Sequence, residues 1–292
     1  MLPTPHTMKI CKTIHDMHAA CSALCHEGKR LGLVPTMGAL HEGHLSLVRA
    51  AKAQCDVVAV SIFVNPTQFG PNEDFSRYPR NFERDRELLD KEGVDFIFAP
   101  SVEEMYPQGT VTYVNVDGLS DKLCGKSRPA HFRGVTTIVS KLFHIVEPDV
   151  AFFGQKDAAQ AAIIRRMVRD LNMRVEIAVC PIVRELDSLA MSSRNSYLDP
   201  QQRQSALVLY RSLMRIQELF GKGERNSAKL IAAAKEVLAG WPSGWPSVRL
   251  DYFEIVNPDT LDPVDDVSHG ALVAVAAFVG TTRLIDNILL NM

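Results

Sequence analysis

Residues 31–54 read LGLVPTMGALHEGHLSLVRAAKAQ, and the kind of fold to expect follows from them. Leu31–Pro35 is a short, nearly continuous apolar run, the pattern of a strand buried on both faces. Gly43–Gln54 carries its apolar residues at helical spacing. A polar junction holding two glycines and two histidines joins them. The chain repeats this strand-then-helix unit: Val57–Val64, Val94–Ala99, Val111–Val116, Val150–Phe153 and Val175–Val183 read as further strands. Asn81–Glu92, Phe132–Val146 and Ala158–Leu171 read as helices, the first opened by Asn81 as an N-cap and closed before Gly93. Strand, helix, strand repeated in this way predicts an α/β fold, a doubly wound parallel sheet with right-handed crossovers over residues 1–183.

After Arg184 the pattern changes. Gln201–Phe220 and Ser227–Ala239 are helical, a hinge follows at Trp241–Pro246, and Val248–Val256, Ala271–Phe278 and Arg283–Leu289 read as strands. Residues 184–292 therefore form a second, smaller α+β domain. Its most apolar stretch, Ala271–Gly280, is half the ~20 residues a membrane span needs. The N-terminus lacks the apolar core of a secretory signal, so the expectation is a cytoplasmic protein with no membrane partner. Lys+Arg total 32 against 34 Asp+Glu, for a net charge of −2, which leaves no basic footprint for nucleic acid. Hydrophobic residues make up 46% and charged residues 23%, which excludes collagen, coiled coil and disorder. The six cysteines are too sparse for a disulfide scaffold. Cys21, Cys25 and His26 cluster in a helical pattern without a second ligand pair, so reduced thiols are expected there.

Ligands of open α/β sheets bind beyond the carboxyl ends of the strands, and three strand ends carry unusual sequences. After the first, Gly38 and Gly43 let backbone pass close to a ligand, and the helix start at His44 offers free N–H groups to an anion. His41 and His44, three apart, share a face suited to gripping a phosphate. After Val57–Val64 come Asn65 and Gln68, whose amides suit hydroxyl and carboxylate groups. After Val150–Phe153 come Lys156, which suits developing negative charge, then Asp157 and, one turn on, Gln160. At the domain junction, Ser192, Ser193 and Arg194 have the composition of a phosphate clamp. Gly125-Lys126-Ser127 imitates the end of a phosphate-binding loop, but the required earlier glycine is Ser120.

His41-Glu-Gly-His44 resembles the HxGH box of a nucleotidyltransferase superfamily. PTMGALHEGHLSLV, VSIFVNPTQFGPNEDFSRYPR, HFRGVTTIVSKLFHIVEPDVAFFGQKDAAQ and LAMSSRNSYL together resemble the pantothenate synthetase (pantoate–β-alanine ligase) family, in its order and spacing. The resemblance implies a Rossmann-like sheet, with the C-terminal domain as a lid over the site. It also implies a homodimer, with ATP, pantoate and β-alanine as substrates and Mg²⁺ accompanying ATP. ATP and pantoate would give pantoyl adenylate and pyrophosphate, and β-alanine would then displace AMP. His41, His44 and Lys156 become the catalytic set, with His44 as proton donor. Ser192, Ser193 and Arg194 complete the phosphate contacts, beside Met191. Met37, Gly38, Gly154 and Val183 line the adenosine side, and Asp157 lies near the ribose. Gln68 and Gln160 hold pantoate, with Asn65 and Tyr78 at the pocket border, and Asp85 is the metal-ligand candidate.

The chain departs from the family where R-E-x-D-G-L-A is usual: Arg184-Glu-Leu-Asp-Ser-Leu-Ala190 has Leu186, where proline is frequent, and Ser188 in place of glycine. Two other functions fit the histidine pair, namely another adenylyl- or cytidylyltransferase and a non-catalytic nucleotide-binding protein.

Overall fold

The computed structural model describes residues 7–71, 73–240 and 246–291. The first six residues, the Trp241–Trp245 part of the expected hinge and the side chains of Cys25 and His26 lie outside what is described. In chain order the elements begin β1 (Lys9–Cys11), α1 (Ile14–His26), β2 (Leu31–Thr36), α2 (Glu42–Gln54), β3 (Val57–Ile62), α3 (Phe82–Lys91) and β4 (Phe96–Phe98). There follow α4 (Val102–Met105), α5 (Cys124–Ser127), α6 (His131–Val146), β5 (Val150–Gly154), α7 (Ala158–Asp170) and β6 (Glu176–Cys180). The chain closes with α8 (Pro200–Gly221), α9 (Ser227–Ala239), β7 (Val248–Val256), β8 (Ala271–Val279) and β9 (Thr282–Leu290). Among the described residues no helix is long and apolar enough to cross a membrane.

The chain forms two compact units. One comprises the residues up to Ser120, Arg128–Gly154 and Ile163–Cys180; the other comprises Asp121–Ser127, Gln155–Ala162 and the chain from Pro181 onward. Read from sequence, one cut at residue 183 divides the domains; in the structure two short segments before it, at 121–127 and 155–162, also pack with the C-terminal unit.

The N-terminal unit holds a six-stranded sheet in the order β1-β4-β3-β2-β5-β6, parallel throughout. β2 is the pivot: β3 and β4 wind to one side of it, β5 and β6 to the other. This reversal creates a crevice at the carboxyl ends of β2 and β5. The sheet and α2 share one apolar core that includes Val34, Leu45, Val48, Val60, Ile97 and Phe152. Burial of each such side chain contributes roughly 1.5–3 kcal/mol, so the strands' position is set by packing before any polar contact is counted.

Among the differences from the sequence reading, two concern which segments form strands. Val111–Val116 is not a strand. The Val114 N–H donates to Thr137 Oγ1 at 3.0 Å and its carbonyl accepts from Thr136 Oγ1 at 2.6 Å. The hydroxyls of α6 thus take the backbone groups that a sheet ladder would have used, and Val111 stays 83% exposed. The edge strand β1 escapes the sequence reading, because three residues carry too little pattern to register.

In the C-terminal unit β7-β8-β9 form an antiparallel sheet. β8, in the centre, is buried along almost its whole length. α8 starts on a capping box between Asp199 and Gln202, with Pro200 in its first turn. Its Leu209, Leu213 and Ile216, at helical spacing, join Val273 and Val275 of β8 in the core.

Candidate active site

At the end of β2, the Thr36 hydroxyl donates to the Ser61 carbonyl at 2.7 Å and accepts the Gly38 N–H at 3.1 Å. Gly38 has φ +79°, and a Cβ there would stand 3.0 Å from Asp85 Oδ2. Ala39 is also left-handed, with φ +51°. Asp85, from α3, holds this turn: its two oxygens accept the Ala39 and Leu40 N–H groups at 2.8 Å each. Its neighbour Arg84 donates to the Leu40 carbonyl at 3.3 Å. Helix α2 is thereby launched at a fixed angle.

His41 is the N-cap of α2, and the two histidines build a capping box. His41 Nδ1 accepts the Gly43 N–H at 3.2 Å and His44 Nδ1 accepts the His41 N–H at 3.4 Å. Their rings lie 4.1 Å apart. A ring nitrogen that accepts carries no proton, so this bonding assigns both neutral imidazoles an Nε2–H donor. Two such donors at the positive end of a helix suit an anionic group.

The second strand end meets the first. Gln68 is 9% exposed and donates through Nε2 to Met37 Sδ at 3.0 Å. Asn65, 1% exposed, orients it: Asn65 Nδ2 donates to Gln68 Oε1 and to the Gly134 carbonyl, both at 3.1 Å. Its Oδ1 accepts from Thr67 Oγ1 and Tyr106 Oη at 2.9 Å. Asn65, expected at the pocket border, thus spends its amide on bonds within the protein. Gly134 of α6 packs so close that a Cβ would come within 2.4 Å of the Thr67 carbonyl oxygen. From the other side His131 Nδ1 donates to the Gln68 carbonyl at 2.8 Å, and Arg128 does so at 3.3 Å. Arg128 also pairs with Glu73 at 2.5 Å. Burial pushes the Glu73 carboxyl up, but the Arg128 guanidinium outweighs it and holds the group below the usual range. Tyr78 is buried edge-on against Phe69, at 5.9 Å.

Asp85 does not suit a metal. It is 1% exposed and both oxygens are committed to backbone amides, while Mg²⁺ favours open carboxylates and retained water. Burial pushes its carboxyl up, opposed by the two amide bonds. Among the described residues no group of three His, Cys, Asp or Glu side chains is arranged to hold a metal ion.

Gly154 ends β5 in the N-terminal unit, and the remaining expected residues belong to the C-terminal one. Lys156 and Asp157 sit in a 3-10 turn, their charged groups 3.7 Å apart, and Gln160 lies half-buried in the first turn of α7. Ser192 caps a second 3-10 turn, its hydroxyl accepting the Arg194 N–H at 3.2 Å. The Met191 N–H donates to the Val183 carbonyl at 3.0 Å, closing a hairpin in which Arg184 bridges Ala190. Ser188 occupies the left-handed region here, with φ +75°, and Leu186 is fully exposed.

The match to known proteins spans nearly the whole chain. Residues 9–289 fit the family model for pantoate–β-alanine ligase. The chain belongs to this family. Pantothenate synthetase of Koribacter versatilis is 61% identical over 97% of this chain and 96% of its own length. That of Thermotoga petrophila is 59% identical over 97% and 100%. Among solved structures, pantothenate synthetase from Thermus thermophilus matches with TM-score 0.90 and 48% identity, covering 96% of this chain and 99% of that one. The Francisella tularensis ligase, solved in complex with beta-gamma ATP and beta-alanine, matches with TM-score 0.78 and 34% identity over 97% and 98%.

Sequence reading missed Asp286 and Asn287 of β9, and Glu73, Arg128 and His131 around Gln68. One signal was available: two adjacent polar residues in the middle of an apolar strand require that at least one of them be buried and bonded.

Proposed function

We propose that the chain carries out its family's ligase reaction, the ATP-dependent condensation of pantoate with β-alanine, through a pantoyl adenylate. A pantoate carboxylate oxygen attacks the α-phosphorus of ATP and pyrophosphate leaves. The β-alanine amine then attacks the acyl carbon, and AMP leaves as pantothenate forms. Charge gathers on phosphate oxygens in the first step, so positioned donors are the main source of acceleration. The carrying observation is the histidine capping box, which turns two Nε2–H groups into donors at a helix N-terminus. His41 and His44 contact the phosphates, and His44 supplies the proton. Lys156, Ser192, Ser193 and Arg194 add further donors. Met37, Gly38, Gly154, Val183 and Met191 contact the nucleotide, with Asp157 at the ribose. Gln68 and Gln160 bind pantoate through its hydroxyl and carboxylate groups, and Asn65 and Tyr78 support Gln68 and its loop. Mg²⁺ would accompany ATP and would neutralise charge on its phosphates. The chain works in the cytoplasm as a homodimer.

Pyrophosphate release with ATP and Mg²⁺ is expected to require pantoate and to reach multiple turnovers when β-alanine is added. Release driven by phosphopantetheine instead would identify a different transferase. His44→Ala is expected to lower release by about 10²- to 10³-fold in a protein that still folds, its melting temperature lowered only modestly by the lost cap; near-normal turnover would remove the role given to His44.

A further inference from the structure

β9 pairs Ala274 and Val275 of β8 with Asn287 and Asp286, so two polar side chains sit in a sheet whose central strand is apolar. Asn287 is 2% and Asp286 4% exposed. Polar groups buried this deeply destabilise a fold when unbonded, and the bonds made here show what the pair holds. Asn287 Nδ2 donates to the Gln155 carbonyl at 3.0 Å and to the Lys156 carbonyl at 2.9 Å, and Oδ1 accepts from Gln155 Nε2 at 2.9 Å. The whole amide is thus spent on the turn that carries Lys156. Asp286 faces the other segment: its oxygens accept from Arg184 Nη1 at 2.7 Å and Nη2 at 2.9 Å, and one also accepts the Asn287 N–H at 2.8 Å. Arg184 in turn donates to the Ser188 carbonyl at 3.1 Å and stacks on Tyr210. Beside Arg184 in the same hairpin, Asn195 donates to Glu185 at 2.7 Å and to the carbonyl of Ala190, the bridge partner of Arg184, at 3.0 Å, which ties the Ser192–Arg194 turn to it.

We propose that Asp286 and Asn287 are positioning residues for the reaction, with Asn287 setting the Lys156 turn and Asp286, through Arg184, setting the Ser192–Arg194 turn. Two adjacent residues of one strand therefore hold both cationic segments of this unit to a common rigid base. Neither touches substrate. The role in catalysis rests on the function proposed above; the role as anchor does not.

The test uses two isosteric variants of the full-length protein. Asn287→Asp keeps the acceptor for Gln155 Nε2 but replaces the two donated hydrogens with a carboxylate oxygen facing two carbonyls. Asp286→Asn keeps the shape and removes the charge opposite Arg184. Hydrogen exchange in the ligand-free protein is expected to quicken about tenfold or more over residues 155–162 in Asn287→Asp, and over 184–194 in Asp286→Asn, each leaving the other segment near its native rate. Exchange that is unchanged, or that rises equally everywhere, overturns the proposal. Coupling supplies the second readout. Asn287→Asp is expected to lower kcat for pyrophosphate release by roughly 10- to 100-fold, and to lower it no further in a Lys156→Ala background. Independent, multiplying effects would mean that Asn287 does not act through Lys156 and would overturn its catalytic role. A wild-type protein that releases no pyrophosphate would sink the proposed function, while the exchange pattern would still decide the anchor.

Discussion

The two units hold their polar segments by different means. In the N-terminal unit the histidine loop and the Gln68 loop are tied by side chains bonded to backbone: Asp85 to two amides, Asn65 and His131 to carbonyls. The partners come from neighbouring strand ends and the helices beside them. In the C-terminal unit the segments are tied by ion pairs and the buried amides of Asn195 and Asn287, with separations of 102 residues for Arg184–Asp286 and 132 for Gln155–Asn287. The first arrangement follows from the topology of a doubly wound sheet, which gathers strand ends wherever the winding reverses. The second requires particular side chains to meet after the chain has folded. It also places charge nearer to water: Arg203, which pairs with Glu185 and Asp187, is 31% exposed. Contacts of that kind are weakened by salt, whereas bonds to buried backbone are not.

The largest break in this comparison is expected at Asp85. Asp85→Ala orphans two backbone amides at once and should cost roughly 2–4 kcal/mol in denaturant unfolding. It should also lower turnover about 10²-fold by releasing the histidine loop. A loss of activity restored by raised Mg²⁺ would instead make Asp85 a metal ligand. Gly134→Ala comes next. Its new Cβ meets a carbonyl oxygen of the neighbouring turn, which cannot swing away as a side chain would. A cost of about 1–3 kcal/mol and a raised KM for pantoate are expected; native stability would show that the α6 contact is loose.

Glu73 sharpens the comparison through pH. Its carboxyl is held below the ordinary value in the folded protein, so the folded state binds this proton less readily than the unfolded chain. The stabilisation is therefore present above the ordinary glutamate pKa and is lost as pH falls through the lowered folded value. Glu73→Gln should flatten that part of the acid limb of the stability profile, and an unchanged limb would discount the Arg128 pair. The smallest effect is expected at Ser188→Gly. A serine at φ +75° sits where glycine carries no steric penalty. The change should add about 0.5–1 kcal/mol of stability with turnover unaltered.

Leu31–Pro35 and Gly43–Gln54 were legible because a buried strand and an amphipathic helix each impose their own periodicity. Asn65 was legible as a polar residue at a strand end, but not as the group that orients Gln68, since nothing local says where an amide points. Val111–Val116 shows the opposite failure. Its β-branched run has the local preference of a strand, yet α6 offers two threonine hydroxyls to its backbone before any strand does.

By itself the sequence determined the strand-and-helix alternation, the polar segments at the strand ends and the family to which the chain belongs, because period and motif spacing are local properties. Only the tertiary structure decided that both oxygens of Asp85 accept backbone amides of the turn after β2. It also decided that both histidine rings accept at Nδ1, and that Asp286 and Asn287 hold segments more than a hundred residues away. The physical reason is that a buried polar group is defined by its partner, and the partner is chosen by packing.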